Sequence, residues 1–311
     1  MTIGIAVCGP DAARAALAGL ERVEAVGRGA IGGFVSLSVI LPDGTLANLG
    51  TQRGGARALL ALPGFAGVRP AGLAVLMSSG PDRPEPLSQF TPGDPAVGLM
   101  TGHRLPNMPG PDGIAPNIAA LRAMAGGAAP AEAVARALAV DPQLDAGLIA
   151  MTTRGELAVL DSPSMAARGD TGSALHVSPG LSVAVLHNTI FPHHALADLA
   201  VSAVRDHVAP ADLAPHSGSA LGHVVHPGPR RALRIGPQGI AGFEAPGPQW
   251  QGAEWDGCPV RRGDPVLSGG RRVGRVVAEA YCILRGGLVT ATRGSDTISW
   301  SLSDDDPDPP G

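Results

Sequence analysis

The chain has 311 residues, of which 44% are hydrophobic and only 3% aromatic, and its formal net charge is −4. This length is sufficient for a substantial core in one large domain or in two. The negative charge argues against nucleic acid as a partner, because phosphate contacts require a basic surface. No apolar run approaches the ~20 residues of a membrane span, and the N-terminus lacks the basic region of a secretory signal. We therefore expect a cytoplasmic protein with no membrane partner.

All 23 basic side chains are arginines. The absence of lysine excludes a pyridoxal phosphate Schiff base, a P-loop lysine and a Ser-Lys dyad, and we expect no cofactor. Cys8, Cys258 and Cys282 show no CxxC spacing. This pattern indicates neither a structural zinc motif nor a disulfide framework.

The first elements of the chain are a strand, a helix and a hairpin. Residues 2–8 have the apolar pattern of a short buried strand. Asp11 is suited to cap an alanine-rich helix that extends to about Val26. In residues 29–55, two β-type runs flank a Pro-Asp-Gly sequence, which predicts a hairpin.

The central part of the chain contains a predicted strand over residues 73–77 and then a long segment over residues 78–117. This segment is rich in proline and glycine but also carries specific polar side chains. Ordered loops of this length are uncommon, and those that exist are often functional. Two helices are predicted near residues 116–124 and 130–138, the second with proline in its first turn.

A second hairpin is predicted over residues 148–160, around Arg154 and Gly155. A strand over residues 181–186 and a helix over residues 192–208 follow. Both hairpins contain apolar runs too long to leave in water. We expect them to be neighbours in one sheet, with the first helix and the helix over residues 192–208 packed on it.

Composition divides the chain into four parts. We predict a layered α+β domain over residues 1–210, a linker over residues 211–229 and a small β-rich domain over residues 230–303. Residues 304–311 are acidic and proline-rich, which is typical of a disordered tail.

The two predicted hairpins carry a family resemblance. The sequence GGFVSLSVILPDGTLANLGTQRGG, followed later by LDAGLIAMTTRGELAVLDSPSMAARG, resembles the sheet core of Ntn hydrolases, especially the plant-type asparaginase and isoaspartyl peptidase group. The resemblance covers about residues 29–165 and implies an αββα fold with a central, largely antiparallel sheet. Where the family carries its nucleophilic threonine, this sequence has Gly32 and Gly33. The same alternation around an Asp-Gly turn is also found in many other α+β proteins.

Two other residues could act as the nucleophile. Thr2 would become the N-terminal residue if Met1 were removed, and its amine could serve as the base for its own hydroxyl group. Cys8 lies before a helix N-terminus, where the helix dipole could lower the thiol pKa. The alternatives are an ordinary residue after the initiator for Thr2 and a small buried core residue for Cys8.

The loop over residues 78–117 is the predicted binding site. His103 could transfer protons, Arg83 and Arg104 could bind an anion, and Asn107 could donate hydrogen bonds. Arg53, flanked by glycine, would join them if the hairpin end lies below the loop. The alternative is that these arginines pair with nearby carboxylates and only pin the loop.

Eight of the nine histidines lie between His176 and His226. No HExxH or comparable ligand spacing accompanies them, and we predict no metal site.

The sequence favours a hydrolase that acts on a small amide or related carbonyl compound with an anionic group. Arginines would bind the substrate carboxylate, and His103 or an N-terminal group would transfer the proton. The alternative is a non-catalytic ligand-binding or assembly protein that has lost its nucleophile. In both cases the expected partner is a small molecule, and a homo-oligomer is left open.

Overall fold

A computed structural model describes residues 1–208 and 216–302. The chain divides into two compact units, residues 1–208 and residues 209–311. Strands account for 40% of the described residues and helices for 24%. Among the described residues, no helix combines the length and the apolar character needed to cross a bilayer.

The first unit combines antiparallel strands with short helices. Its strands are β1 (Thr2–Cys8), β2 (Val35–Ile40), β3 (Leu46–Thr51), β4 (Leu73–Ser79), β5 (Gly93–Asp94), β6 (Gly98–Arg104), β7 (Ala146–Thr152), β8 (Leu157–Asp161), β9 (Thr171–Ser178) and β10 (Leu181–Asn188). Its helices are α1 (Ala12–Val26), α2 (Gly55–Leu60), α3 (Phe65–Val68), α4 (Pro116–Ala125), α5 (Pro130–Ala139), α6 (Pro163–Ala166) and α7 (Leu196–Val208).

The larger sheet of this unit has six strands in the order β3-β2-β4-β1-β10-β9. One face packs against α1 and α7, where Ile3, Ile5 and Val7 of β1 meet the helix side chains. The other face packs against a second sheet in the order β5-β6-β7-β8. Because β1 is covered on both faces, its sequence is continuously apolar rather than alternating. Helices α4 and α5 pack against the second sheet.

The predicted fold class is wrong. The chain is mostly β, and its strands form several sheets rather than one central sheet between helical layers. Hairpin β2–β3 belongs to the six-stranded sheet and hairpin β7–β8 to the four-stranded one. The two hairpins are therefore not neighbours in one sheet. The four-stranded sheet escaped prediction because β6 lies inside the segment 78–117 that we interpreted as a loop.

Several individual elements are confirmed. Strand β1, both hairpins and helices α1, α4 and α5 end within a few residues of their predicted bounds. Asp11 precedes α1 as predicted, but its side chain makes no cap hydrogen bond. Its carboxylate instead binds Arg69 and His207. Helix α7 begins at Leu196 rather than at residue 192.

The second unit consists mainly of strands. They are β11 (His216–Ser219), β12 (Val225–Pro227), β13 (Ala232–Gly236), β14 (Gly239–Ala245), β15 (Trp255–Gly257), β16 (Pro265–Ser268), β17 (Arg271–Ala278), β18 (Tyr281–Arg285), β19 (Leu288–Arg293) and β20 (Thr297–Leu302). They form a seven-stranded sheet, β11-β20-β17-β16-β13-β14-β12, and a three-stranded sheet, β15-β18-β19. Its core includes Phe243, Trp250 and Trp300.

The linker predicted over residues 211–229 contains β11 and β12, so this prediction is wrong for that part of the segment. Strands of three or four residues between glycines and prolines give too little pattern to detect. The predicted tail, residues 304–311, lies outside the described residues.

Candidate functional site

Thr2 is a buried residue at the first position of β1. The strand register places it between Ser79 of β4 and Asn188 of β10. Its hydroxyl group donates to Asn188 Oδ1 over 2.7 Å, and its backbone N–H donates to the same oxygen over 3.1 Å. The backbone N–H of Arg104 donates to Thr2 Oγ1 over 2.5 Å. The hydroxyl group is therefore held from both sheets, which fixes its direction.

Asn188 is itself held in one orientation. Its Nδ2 donates to Thr189 Oγ1 over 2.8 Å, and Thr189 Oγ1 donates to Asp170 Oδ2 over 2.9 Å. Arg168 pairs with Asp170, and its hydrogen bond holds the pKa of that carboxyl well below its usual range. Since the amide nitrogen of Asn188 is used on this side, its oxygen faces Thr2.

Arg104 contributes to the Thr2 environment through its backbone. It ends β6 with a positive φ of 64°, which is uncommon for a residue other than glycine. Such strain is frequently found at functional sites. The guanidinium group of Arg104 binds both oxygens of the Asp145 carboxylate. The charge that we predicted to bind substrate is therefore already paired.

Arg83 is the one predicted arginine that keeps an uncompensated charge. Its Nε donates to Ser79 Oγ over 3.1 Å, and the side chain is partly buried. No carboxylate among the described residues lies within ion-pair distance of it. Burial lowers its pKa, and the nearby charge of Arg104 lowers it further. A partly desolvated guanidinium group without a carboxylate partner is suited to bind an anionic ligand.

The α-amine of Met1 lies close to the same charges. Burial lowers its pKa below 8.0, and the charges of Arg104, Arg83 and Arg168 lower it further. The side chain of Met1 runs along the backbone of residues 29–30, and Ala30 N–H donates to its sulfur over 2.6 Å. A Cβ at position 29 would lie only 2.8 Å from this sulfur. Met1 thus fills a space next to Thr2 that is lined by backbone.

His103 does not lie in a loop, as predicted, but on β6, and it is completely buried. Its Nε2 contacts Asp161 Oδ1 over 2.5 Å, across Gly147 of the strand between them. A side chain at position 147 would collide with both groups. The Nδ1 atom has no partner. The pair joins β6 to β8, and the predicted exposure of His103 to a ligand is wrong.

Arg53 and Asn107 do not form the predicted shared site. Arg53 is highly exposed and pairs with Asp82. Asn107 donates to Gln89 Oε1 over 2.8 Å. Arg53, Asn107 and Arg104 therefore each bind a different partner. For Arg53, the structure agrees with the alternative prediction, in which the arginine pairs with a carboxylate of the loop.

Cys8 lies at the opposite end of β1. Burial raises its thiol pKa, the reverse of the predicted activation by the helix dipole. The sulfur packs so closely that a Cβ at Gly155 would collide with it. Cys8 therefore has the environment of a core residue rather than of a nucleophile.

Among the described residues, no group of three or more histidine, cysteine, aspartate or glutamate side chains is placed to hold a metal ion. His187 of the histidine-rich segment is buried beside Gly172. Burial lowers its pKa to about 4, with smaller contributions from the charges of His103 and His193. This imidazole is neutral at neutral pH.

Two family models match the chain, and both describe domains of unknown function. The first, DUF6963, matches residues 2–217. The chain belongs to this family. The second, DUF7259, matches residues 222–297, and no match was found among curated proteins. In the DUF6963 part lie all the residues around Thr2 described above. Neither description bears on the resemblance to Ntn hydrolases, which stays a prediction.

Proposed function

We propose that this member of the DUF6963 family is a hydrolase whose nucleophile is Thr2, exposed by cleavage of the Met1–Thr2 peptide bond. The substrate class is a small amide or related carbonyl compound with an anionic group. The observation that carries the proposal is the hydrogen bonding of Thr2 Oγ1 to Asn188 and to the backbone N–H of Arg104. A hydroxyl group held at the start of a strand, beside an unpaired guanidinium, is suited to nucleophilic attack.

The reaction requires a base, and the freed α-amine of Thr2 supplies it. The neutral amine takes the proton of Oγ1 while Oγ1 attacks the carbonyl carbon of the substrate. The C–N bond of the tetrahedral intermediate then breaks, and the leaving amine takes this proton from the α-ammonium group. Water, activated by the same amine, hydrolyses the resulting ester, which releases the carboxylic acid and regenerates Thr2.

Electrostatics favour a neutral amine at this position. The α-amine of Met1 already has a lowered pKa because of burial and three nearby guanidinium groups. An amine one residue further along the chain lies among the same charges, and we expect its pKa to be lowered as well. A lowered pKa favours the neutral amine, which is the form that can accept a proton.

Two groups are available to bind the substrate. Arg83 would bind its anionic part, since no carboxylate of the described chain neutralises this cation. Loss of Met1 would also free the N–H of Ala30, which now donates to the methionine sulfur. A free backbone N–H beside the nucleophile can donate to a substrate oxygen.

The proposal is tested with two proteins released from a cleavable fusion, one beginning at Thr2 and the other at Met1. Both are treated with a β-lactone, which acylates nucleophilic hydroxyl groups, and the adduct is located by peptide mass spectrometry. We expect one stoichiometric adduct on Thr2 in the first protein and none on Thr2 in the second. Absence of a Thr2 adduct in the protein that begins at Thr2 would refute the assignment of Thr2 as the nucleophile.

A second candidate function is a non-catalytic ligand-binding protein in which Met1 is retained. It is favoured by the fit of the Met1 side chain against Ala30 and Gly29. Intact-mass measurement of protein expressed without a fusion distinguishes the two functions. A mass that includes Met1 supports the binding protein, and a mass reduced by one methionine residue supports the hydrolase.

A further inference from the structure

Strand β9 ends the six-stranded sheet with an open edge. It pairs with β10 on one side, residue by residue over its full length and without a bulge. On the other side, no strand of the described chain pairs with it. Alternate backbone N–H and C=O groups therefore point outward, which makes the edge a template for another strand.

The side chains of β9 do not protect this edge. The strand contains neither proline nor any aspartate, glutamate, lysine or arginine. Ala174 packs toward the helices, so Leu175 and Val177 lie on the opposite face of the sheet. These two side chains are 56% and 67% exposed. Natural edge strands usually carry charges, prolines or bulges that prevent pairing, and β9 has none of these devices.

On the face of the sheet opposite Leu175 and Val177, helix α7 lies along this open edge. It packs over β9 and β10, while α1 packs over β1 and β4. The groove between the two helices is lined on α7 by Ala203 and Asp206. Asp198 and Arg205 are two helical turns apart, so they share one flank of α7. Ala203, which lines the groove, lies about 140° around the helix axis from this Asp198–Arg205 flank. This flank is turned away from α1, toward the open edge.

The charges on this flank suit a second copy of the same chain. Asp198 and Arg205 are exposed, and neither has an ion-pair partner within the described residues. A two-fold axis through the middle of the edge would run the two α7 helices antiparallel. Asp198 of each copy would then face Arg205 of the other. At the start of β9, Asp170 is already neutralised by Arg168, so antiparallel strands oppose no like charges.

We propose that β9 and the Asp198–Arg205 flank of α7 form a two-fold symmetric interface between two copies of this chain. The β9 strands pair antiparallel and join the two sheets, Leu175 and Val177 of both copies pack together, and the helices form two intermolecular ion pairs. A strand of eight residues is about 26 Å long. An interface of this length is at the small end of specific interfaces, so we expect a micromolar Kd.

The experiment is sedimentation of the full chain over a concentration series, with variants of the strand and of the helix. Val177→Arg should give a monomer, because it buries a cation of each copy in the apolar contact. The matched control is Val140→Arg, which changes a 48% exposed valine at the end of α5 and should leave the dimer intact.

The helix variants test the two-fold geometry. Asp198→Arg and Arg205→Asp should each raise the Kd at least about tenfold, because each sets like charges against each other. The double variant, in which both charges are exchanged, should restore the wild-type Kd. A wild-type monomer at about 100 µM, well above a micromolar Kd, a Val177→Arg dimer of unchanged affinity, or a double variant no tighter than the single ones would overturn the proposal. Circular dichroism melting confirms that each variant is folded.

Discussion

The two ends of strand β1 carry the two candidate nucleophiles of the chain, and their environments differ in hydrogen bonding and in nearby charge. At Thr2, hydrogen bonds from both sheets fix the hydroxyl group, and arginine side chains surround the adjacent α-amine. At Cys8, the sulfur packs against Gly155 and burial raises the thiol pKa. One strand thus presents a polar, cationic end and an apolar end.

Under the proposed function, intrinsic nucleophilicity does not identify the reactive residue. A thiol is more acidic than a hydroxyl group in water, but desolvation without a cation favours its neutral form. A threonine hydroxyl group becomes reactive only with a base and fixed geometry. The Thr2 end of the strand can supply both after loss of Met1, whereas the Cys8 end supplies neither.

The largest expected effect comes from exchanging the nucleophiles. In protein that begins at residue 2, Thr2→Ala should reduce the rate of β-lactone acylation at least about 100-fold. Thr2→Ser, which keeps the hydroxyl group, should retain a measurable rate. Cys8→Ala should stay within about twofold of wild type, because the thiol is held protonated. Time-resolved intact-mass spectrometry measures all three rates. Loss of labelling in Cys8→Ala would instead identify Cys8 as the nucleophile.

A smaller effect is expected from the unpaired cation at the Thr2 end. The rate ratio between a β-lactone that carries a carboxylate and its neutral analogue should fall about tenfold in Arg83→Ala, equivalent to ~1.4 kcal/mol. Arg53→Ala is the matched control, because this arginine is exposed and paired with Asp82. Its ratio should stay within about twofold of wild type, as is usual for exposed ion pairs. An equal fall of this rate ratio in both variants would show that Arg83 does not bind the carboxylate.

The smallest expected effect is a shift in the titration of the α-amine. In protein that retains Met1, amine acylation should reach half its maximal rate below pH 8.0, because burial and three guanidinium groups disfavour the charged form. Arg83→Ala removes one of these cations, so the α-ammonium becomes more stable and the midpoint should move to higher pH. The sequence contains no lysine, so an amine reagent reports on this group without competition. A midpoint at or above pH 8.0 in the wild type would contradict the electrostatic difference between the two ends.

The local sequence pattern was sufficient to predict those elements whose structure is determined by residues close together in the sequence. The Asp-Gly and Arg-Gly turns predicted both hairpins, and proline in the first turn predicted α5. Strand β6 could not be predicted in this way, because its sequence GLMTGHR has two glycines and three polar residues. Two of those polar residues are stabilised by distant partners: Thr101 donates to Leu76 O, and His103 binds Asp161. The pairing of each hairpin with one of two sheets also depends on such long-range contacts.

The candidate site was predicted only in part, for the same reason. Thr2 and Arg83 were identified from their residue types and neighbours. Asn188 was missed, because it lies 186 residues from Thr2 in sequence and no spacing motif connects them. Arg104 was identified, but for its guanidinium group rather than for its backbone N–H, and side-chain chemistry cannot indicate a backbone contact. Arg53 and Asn107 were grouped with it because they share a polar segment, not because the fold brings them together.

The burial of Thr2 at the first position of β1 has a practical consequence for producing the protein. Any residues placed before Thr2, such as an affinity tag or a cloning remnant, must leave the sheet through the space over Gly29 and Ala30 that Met1 now occupies. They would also convert the α-amine of Thr2 into an amide, which cannot accept a proton. Under the proposed mechanism, a tag at the N-terminus would therefore yield a folded but inactive protein. Activity screens of this family should use chains tagged elsewhere, with residue 2 confirmed as the first residue.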